Sequence, residues 1–330
     1  MLSRRILLAM FSALVLAACT TAPAEPEAAP PAIEADAVIP LWPEGPPGGV
    51  PAGLQEKIVH RENPFGLMDR AAHDVTAPSL SIFYPDAPDG SAILIIPGGG
   101  YKWVVIDKEG FEGARHFAAE GATVYVLRYR LPHQGWQAGP DAPLQDAQRA
   151  MRLIRARAAA DRIDPARVMV MGFSAGGHLA GTLAMKFDLP AYTPIDAADA
   201  LSARPDAAAL IYPVATLAEP FAHPGSRQNM LGDQPTPESI ASWSLESMAR
   251  PDMPPVFLMH AADDAAVPVE NALILHGALR QVGVPVALHI FEEGGHGFGL
   301  RGIADTPLRS WPSLLRDWGV NKGIFPKGNS

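Results

Sequence analysis

The feature that most constrains the fold is an apolar strand that runs into a glycine-spaced serine and out again as a helix. Arg167-Val168-Met169-Val170-Met171 reads as a strand, Gly172-Phe173-Ser174-Ala175-Gly176 follows as G-x-S-x-G, and Gly177-His178-Leu179-Ala180-Gly181 continues as a small-residue helix. Glycines two before and two after the serine let the backbone turn sharply and let strand and helix approach, so the Ser174 hydroxyl is presented at the tip of a strained turn. Taken alone, the pentapeptide fits a small helix-starting serine equally well.

Three further segments weigh for Ser174 as a nucleophile. Ala92-Ile93-Leu94-Ile95-Ile96 reads as a buried strand that ends in Pro97-Gly98-Gly99-Gly100-Tyr101. Backbone amides exposed there, those of Gly99 or Gly100 together with Ala175, suit an oxyanion hole. Pro255–His260 is another strand, leading to the acids Asp263 and Asp264, and Val286–Phe291 leads to Glu292-Glu293-Gly294-Gly295-His296-Gly297. A histidine on a glycine-flanked loop is free to be oriented by a partner. The chain order Ser174, Asp264, His296 is that of the α/β-hydrolase triad and differs from the chymotrypsin and subtilisin orders.

With these residues in place, the chain resembles the α/β-hydrolase carbohydrate esterases, in particular the bacterial acetyl-xylan-esterase-like group of BD-FAE/esterase-lipase type. The phrases Ile39–Gly45 (IPLWPEG), Tyr129–Pro132 (YRLP) and Ser202–Asp206 (SARPD) carry the same likeness, which runs from about residue 38 to the C-terminus. The resemblance implies a cofactor-free serine esterase acting on acylated oligosaccharides. It also selects Asp264, which stands in the D-x-x-V-P register before Val267-Pro268; Asp263 is then a loop-capping carboxylate. Pro97 departs from the wider pattern, in which a histidine often precedes the glycines.

Other readings are bland or excluded. His178, one turn after Ser174, and His260, at a strand end, are expected to be structural. No H-E-x-x-H and no Cys/His cluster is present, so no metal is assigned, and neither phosphate-loop nor dinucleotide glycine spacing occurs. A formal charge of −9 argues against nucleic acid. On the helix Ala142–Ala160, Arg149, Arg152, Arg155 and Arg157 are expected on a solvated face.

The N-terminus carries Arg4 and Arg5, an apolar run from Ile6 to Ala18, and Leu16-Ala17-Ala18-Cys19, which resembles a lipobox. Residues 1–18 are therefore expected to be a lipoprotein signal peptide, with Cys19 lipidated and the protein held at a bacterial membrane, the outer one by the Thr20 sorting rule. Cys19 is the sole cysteine, so no internal disulfide can form. Residues 19–37 read as a Pro/Ala/Glu-rich tether, and 38–330 as one catalytic domain.

Within that domain, apolar runs alternate with helical patterns, which implies a mostly parallel sheet flanked by helices on both faces. The stretch from Pro213 to Pro254 is expected to be irregular and to shape the substrate pocket together with Tyr101, Trp103 and Trp136, aromatic residues that serve either as sugar-stacking faces or as hydrophobic plugs. The acyl preference is expected to be acetyl first and feruloyl second. A prolyl-oligopeptidase-like peptidase and a silent glycan-binding lipoprotein are the alternatives. Oligomeric state is left open.

Overall fold

The computed structural model describes residues 32–327. The signal segment, Cys19 and most of the tether lie outside the described residues. In chain order the strands are β1 (Ala37–Pro40), β2 (Lys57–His60), β3 (Arg70–His73), β4 (Ser79–Phe83), β5 (Ala92–Ile96), β6 (Val104–Val105), β7 (Thr123–Arg128), β8 (Val168–Phe173), β9 (Ala207–Ile211), β10 (Val256–Ala261) and β11 (Val286–Phe291). The helices are α1 (Glu112–Ala119), α2 (Ala142–Ala156), α3 (Ala175–Met185), α4 (Pro224–Leu231), α5 (Pro237–Trp243), α6 (Leu245–Met248), α7 (Glu270–Gln281) and α8 (Trp311–Asn321).

An eight-stranded sheet runs β1-β4-β7-β5-β8-β9-β10-β11. From β7 to β11 the neighbours are parallel, while β1, β4 and β7 pair antiparallel at one edge. Every residue of β5, β8, β9 and β10 is buried, as expected of parallel strands covered on both faces. Their side chains divide between two cores. One face packs Leu94, Val170, Leu210 and Leu258, the other Ile95, Met171, Ile211 and Met259, each full burial contributing about 1.5–3 kcal/mol. The sheet is the mostly parallel, doubly covered sheet anticipated from the alternating pattern, as the resemblance to α/β-hydrolases implied.

Three expectations need correction. The end of the tether is part of the fold: the Asp36 amide donates to Ile82 O, β1 begins at Ala37, and Arg70 and Arg115 donate to Ile33 O and Glu34 O. Arg149 does not lie on a solvated face. It is buried, donating to Leu41 O and pairing with Asp196 and Asp199. The 213–254 stretch is not irregular, since α4, α5 and α6 lie within it, and Pro224 and Pro237 stand in first turns where a missing N–H costs nothing.

The three sequence phrases acquire physical reasons. Trp42 Nε1 donates to Asp146 Oδ1 at 2.7 Å, and Arg130 pairs with the same carboxylate at 2.8 Å with both side chains fully buried. The first two phrases thus meet at one buried acid of α2. In the third, Asp206 Oδ2 accepts from the Val168 amide at 2.9 Å and from Arg155, fixing the entry into β8.

A smaller antiparallel sheet, β2-β3-β6, stands beside the main one. Its segment, residues 57–73, was not foreseen as structured. It raises a wall over the C-terminal strand ends, where ligands bind in this type of sheet.

Candidate active site

β8 delivers the chain to Ser174, which takes φ 53°, ψ −120° before α3 begins. This is a strained conformation for a non-glycine residue. The flanking glycines permit it: a Cβ on Gly172 would overlap Gly176 O, and one on Gly176 would overlap Ile96 O and Pro97 O. The turn is therefore wedged between α3 and the end of β5, with no room for a methyl group. Ser174 is only 6% exposed.

The loop after β11 brings His296 over the serine. Ser174 Oγ donates to His296 Nε2 at 2.8 Å, and His296 Nδ1 donates to Asp264 Oδ2 at 2.6 Å. Asp264 Oδ1 accepts from the amides of Ala266 and Val267 at 3.0 and 2.8 Å. Burial works to raise this carboxyl, but hydrogen bonds from His260, His296 and Val267 outweigh it and hold it well below the usual carboxylate range. It therefore stays ionised and keeps the His296 tautomer fixed. Asp263 is exposed and accepts from the Gly295 amide at 2.8 Å, so it clasps the histidine loop from outside.

Opposite the histidine, the amides of Gly99 and Gly100 have no acceptor among the described residues, and both glycines line a cavity of about 300 Å³ that holds Ser174 and His296. Ala175 is the first residue of α3, so its amide lacks a helical acceptor. Three free donors thus surround the serine. Behind them Glu109, in a π-helical turn spanning Asp107–Phe111, joins two loops: Oε2 accepts from the Gly98 amide at 3.0 Å and Oε1 from Tyr212 O–H at 3.2 Å. The Tyr212 hydroxyl oxygen in turn accepts from the Gly299 amide, and its ring meets the His296 ring edge-on at 5.1 Å. Glu109 was missed in the sequence, where Lys108-Glu109-Gly110 looks like an ordinary helix start.

The aromatic candidates divide. Trp103 lines the cavity. Tyr101 does not: φ 56° turns it under the sheet, fully buried, with O–H donating to His178 Nδ1 at 2.7 Å. Trp136 is also withdrawn from the pocket, 4% exposed beneath the Arg130 guanidinium at 5.1 Å. Both are plugs.

The histidines follow the same logic. His178 donates from Nε2 to Trp243 O, and burial pushes it down to about 4, so it is a neutral strut. His260 Nε2 faces both Val267 O at 2.9 Å and Asp264 Oδ2 at 3.3 Å, while its buried Nδ1 has no partner among the described residues, so this structural histidine is only half satisfied.

Sequence reading passed over His223. Its Nδ1 accepts from the Ser226 amide at 3.1 Å, capping α4, and the ring lines the cavity next to Gly100. Asn229 of the same helix donates to Gly100 O at 2.8 Å. The anticipated link between the 213–254 stretch and the pocket is thus made by His223 and Asn229. Only their positions in α4, which the proline-rich sequence concealed, signal it.

This arrangement can activate a hydroxyl, hold a tetrahedral oxyanion and pass a proton to a leaving group. Comparison with known proteins agrees with the fold. The chain is 35% identical to an acetyl ester-xyloside bifunctional hydrolase from Caldicellulosiruptor lactoaceticus, with a TM-score of 0.73 over 89% of this chain and 98% of that one. Thermogutta terrifontis Est2, at 23% identity and a TM-score of 0.61 over 86% of this chain and 96% of that one, shares the fold. An acetylxylan esterase of Xylanibacter ruminicola is 32% identical over 72% of this chain and 46% of its own length. An endo-1,4-beta-xylanase B of Butyrivibrio fibrisolvens is 38% identical over 62% of this chain and 32% of its own. The chain thus spans a third to a half of the curated relatives it matches. The BD-FAE family matches residues 80–279, more than half of the chain and the segment that carries the serine elbow and the acid, and the chain belongs to that family.

Proposed function

We propose that the protein is a serine carboxylic-ester hydrolase that removes acetyl groups from acetylated xylan or related oligosaccharides. The observation that carries this reading is the continuous relay from Ser174 Oγ through His296 to Asp264, at 2.8 and 2.6 Å, opening on a cavity with unoccupied amides. An acetylxylan esterase and an acetyl ester-xyloside hydrolase among its relatives support the substrate class.

In the first step Ser174 Oγ attacks the ester carbonyl while His296 Nε2 takes its proton. The amides of Ala175 and of Gly99 or Gly100 hold the oxyanion, each contributing about 3 kcal/mol. The intermediate then collapses as His296 protonates the leaving sugar hydroxyl. Water, deprotonated by the same imidazole, releases acetate from the acyl-enzyme. Asp264 orients the ring and balances the imidazolium in both steps.

Acetate release from acetylated xylo-oligosaccharides, alongside a 4-nitrophenyl ester series, tests the reading. Turnover should fall from acetyl to octanoyl, each unburied methylene forfeiting about 0.8 kcal/mol. A preference for long chains would point to a lipase-like enzyme, and cleavage of prolyl peptides without ester preference to a peptidase.

The lipobox-like Leu16–Cys19 supports a second proposal, that the enzyme is lipid-anchored at Cys19 to the bacterial outer membrane. Cys19→Ser should move it to the soluble fraction. A wild-type protein without acyl mass on Cys19 would sink the idea.

A further inference from the structure

The whole chain carries a formal charge of −9, yet the cavity over Ser174 is lined by the cations Arg61, Lys102 and Lys108 and by one acid, Glu109. Glu109 accepts from Gly98 N–H and Tyr212 O–H and makes no ion pair with any of the three cations. Arg61 is committed in part to Asp69, at 2.7 Å, and Lys102 lies over the Trp103 ring at 4.9 Å. Lys108 differs from both. Its ammonium sits against the His296 loop, 3.2 Å from where a Gly297 Cβ would stand, with Glu109 Oε1 3.5 Å from the same point, and it makes no salt bridge or hydrogen bond among the described residues.

Lys108 also marks a junction. A second lobe of about 570 Å³ adjoins the cavity, shares Arg61, Lys108, His296 and Gly297 with it, and is lined besides by Glu62, Arg301 and an Asp69 that pairs with Arg61 and Arg301. The lobe is large enough for a sugar ring. An ammonium without a counter-ion beside His296 repels the imidazolium that forms there in each step. An anion bound on Lys108 would cancel that repulsion and gain a charge-assisted hydrogen bond.

We propose that this lobe is a subsite for a carboxylate carried by the sugar side of the ester, read by Lys108 with Arg61 beside it. The substrate class is then an acetylated oligosaccharide bearing a uronic acid. The inference rests on the esterase reading above.

The test compares two acetylated xylo-oligosaccharide fractions, one neutral and one carrying a glucuronic acid branch, by acetate release. The same two oligosaccharides without acetyl groups are assayed as competitive inhibitors of 4-nitrophenyl acetate hydrolysis. Inhibition reads the subsite without requiring cleavage of a sugar ester, so the subsite and the xylan reading fail separately. The acidic compounds should be favoured about tenfold over the neutral ones, as one charge-assisted hydrogen bond supplies, and raised salt should erode the preference. Lys108→Met should bring the ratio close to one, and Lys108→Arg should retain most of it. Equal inhibition by acidic and neutral oligosaccharides in the wild type, or a preference that survives in Lys108→Met, would overturn the subsite.

Discussion

The floor and the walls of the cleft are built differently. The floor is a set of strand ends: β5 leads to the Gly99 and Gly100 amides, β8 to Ser174, β10 to Asp264 and β11 to His296. Each catalytic group lies within a few residues of a strand of the main sheet, buried for β5, β8 and β10 and half-exposed at the β11 edge, so the sheet register places it. The walls are the 57–73 segment and the α4 region, which reach the cavity through Arg61, His223 and Asn229. Their positions depend on contacts between segments far apart in the chain, such as Asn229 with Gly100 O. Floor residues are thus placed by the sheet itself, whereas wall residues are placed by pairings between segments far apart in the chain.

That contrast predicts a descending order of effects. Ser174→Ala and His296→Ala should each lower kcat by about 10⁴-fold or more, and Asp264→Asn by about 10³–10⁴-fold, with the protein still folded. Asp263→Asn, whose carboxylate meets backbone amides of the Gly294–Gly295 turn and not His296, should stay within a few-fold of wild type. Steady-state kinetics decide this, and a larger loss for Asp263→Asn than for Asp264→Asn would show that the acid was misassigned.

Next in size is the support beneath the floor. Asp146→Ala strands the Arg130 guanidinium, whose side chain and that of Asp146 are fully buried, and should cost about 3–5 kcal/mol of stability. Tyr129, one residue away, donates to Pro97 O at 2.8 Å, so the oxyanion turn should loosen as well. Thermal unfolding with kinetics at low temperature measures both; a stable Asp146→Ala protein with unaltered kcat would break the link between this pair and the floor.

The third effect is a pH dependence of the helix behind the serine. Burial holds His178 in the folded protein at about 4, below its ordinary value of 6.5. The unfolded chain therefore binds the extra proton first. Stability is fully present above about pH 6.5 and declines as pH falls toward 4, by about 3 kcal/mol in all. Depressed values at His133, His223 and His289 act in the same direction. Unfolding curves between pH 7 and 4.5 should show this loss, and His178→Gln should flatten part of it; an equal slope in the variant would assign the acid sensitivity elsewhere.

The smallest effect belongs to the walls. Trp103→Ala should raise KM for acetylated oligosaccharides several-fold, about 1 kcal/mol of stacking, and leave 4-nitrophenyl acetate nearly untouched. Trp136→Phe should change neither KM, since its ring packs under Arg130 outside the cavity. If Trp136→Phe selectively weakened the sugar substrates, the division into plug and platform would be wrong.

The floor was legible because its signals are local. Ala92–Ile96 and Val256–His260 are apolar runs that can only be strands in a covered sheet, and Gly172 and Gly176 are required by sterics within one turn. The walls were not legible. Residues 57–73 have no periodic apolar pattern, and the prolines of 213–254 read as breaks although two of them start helices. For Tyr101 and Trp136 the choice between sugar platform and hydrophobic plug stayed open, because an aromatic residue in a sequence does not show what lies opposite it. For Tyr101 that is His178, reached only when a strand end and a distant helix are assembled, and for Trp136 it is Arg130, six residues away but held in place by the buried Asp146.

The sequence by itself determined the sheet, the nucleophile elbow and the order of its partners, because strand periodicity and glycine sterics act over a few residues. Tertiary structure alone decided that Arg149 is buried, that residues 33–37 join the fold, that Glu109 ties two loops together and that Lys108 faces the cleft without a counter-ion. Those outcomes depend on which charges and backbone groups meet across separations that run from tens of residues to more than a hundred, and no local property of the chain encodes such a meeting.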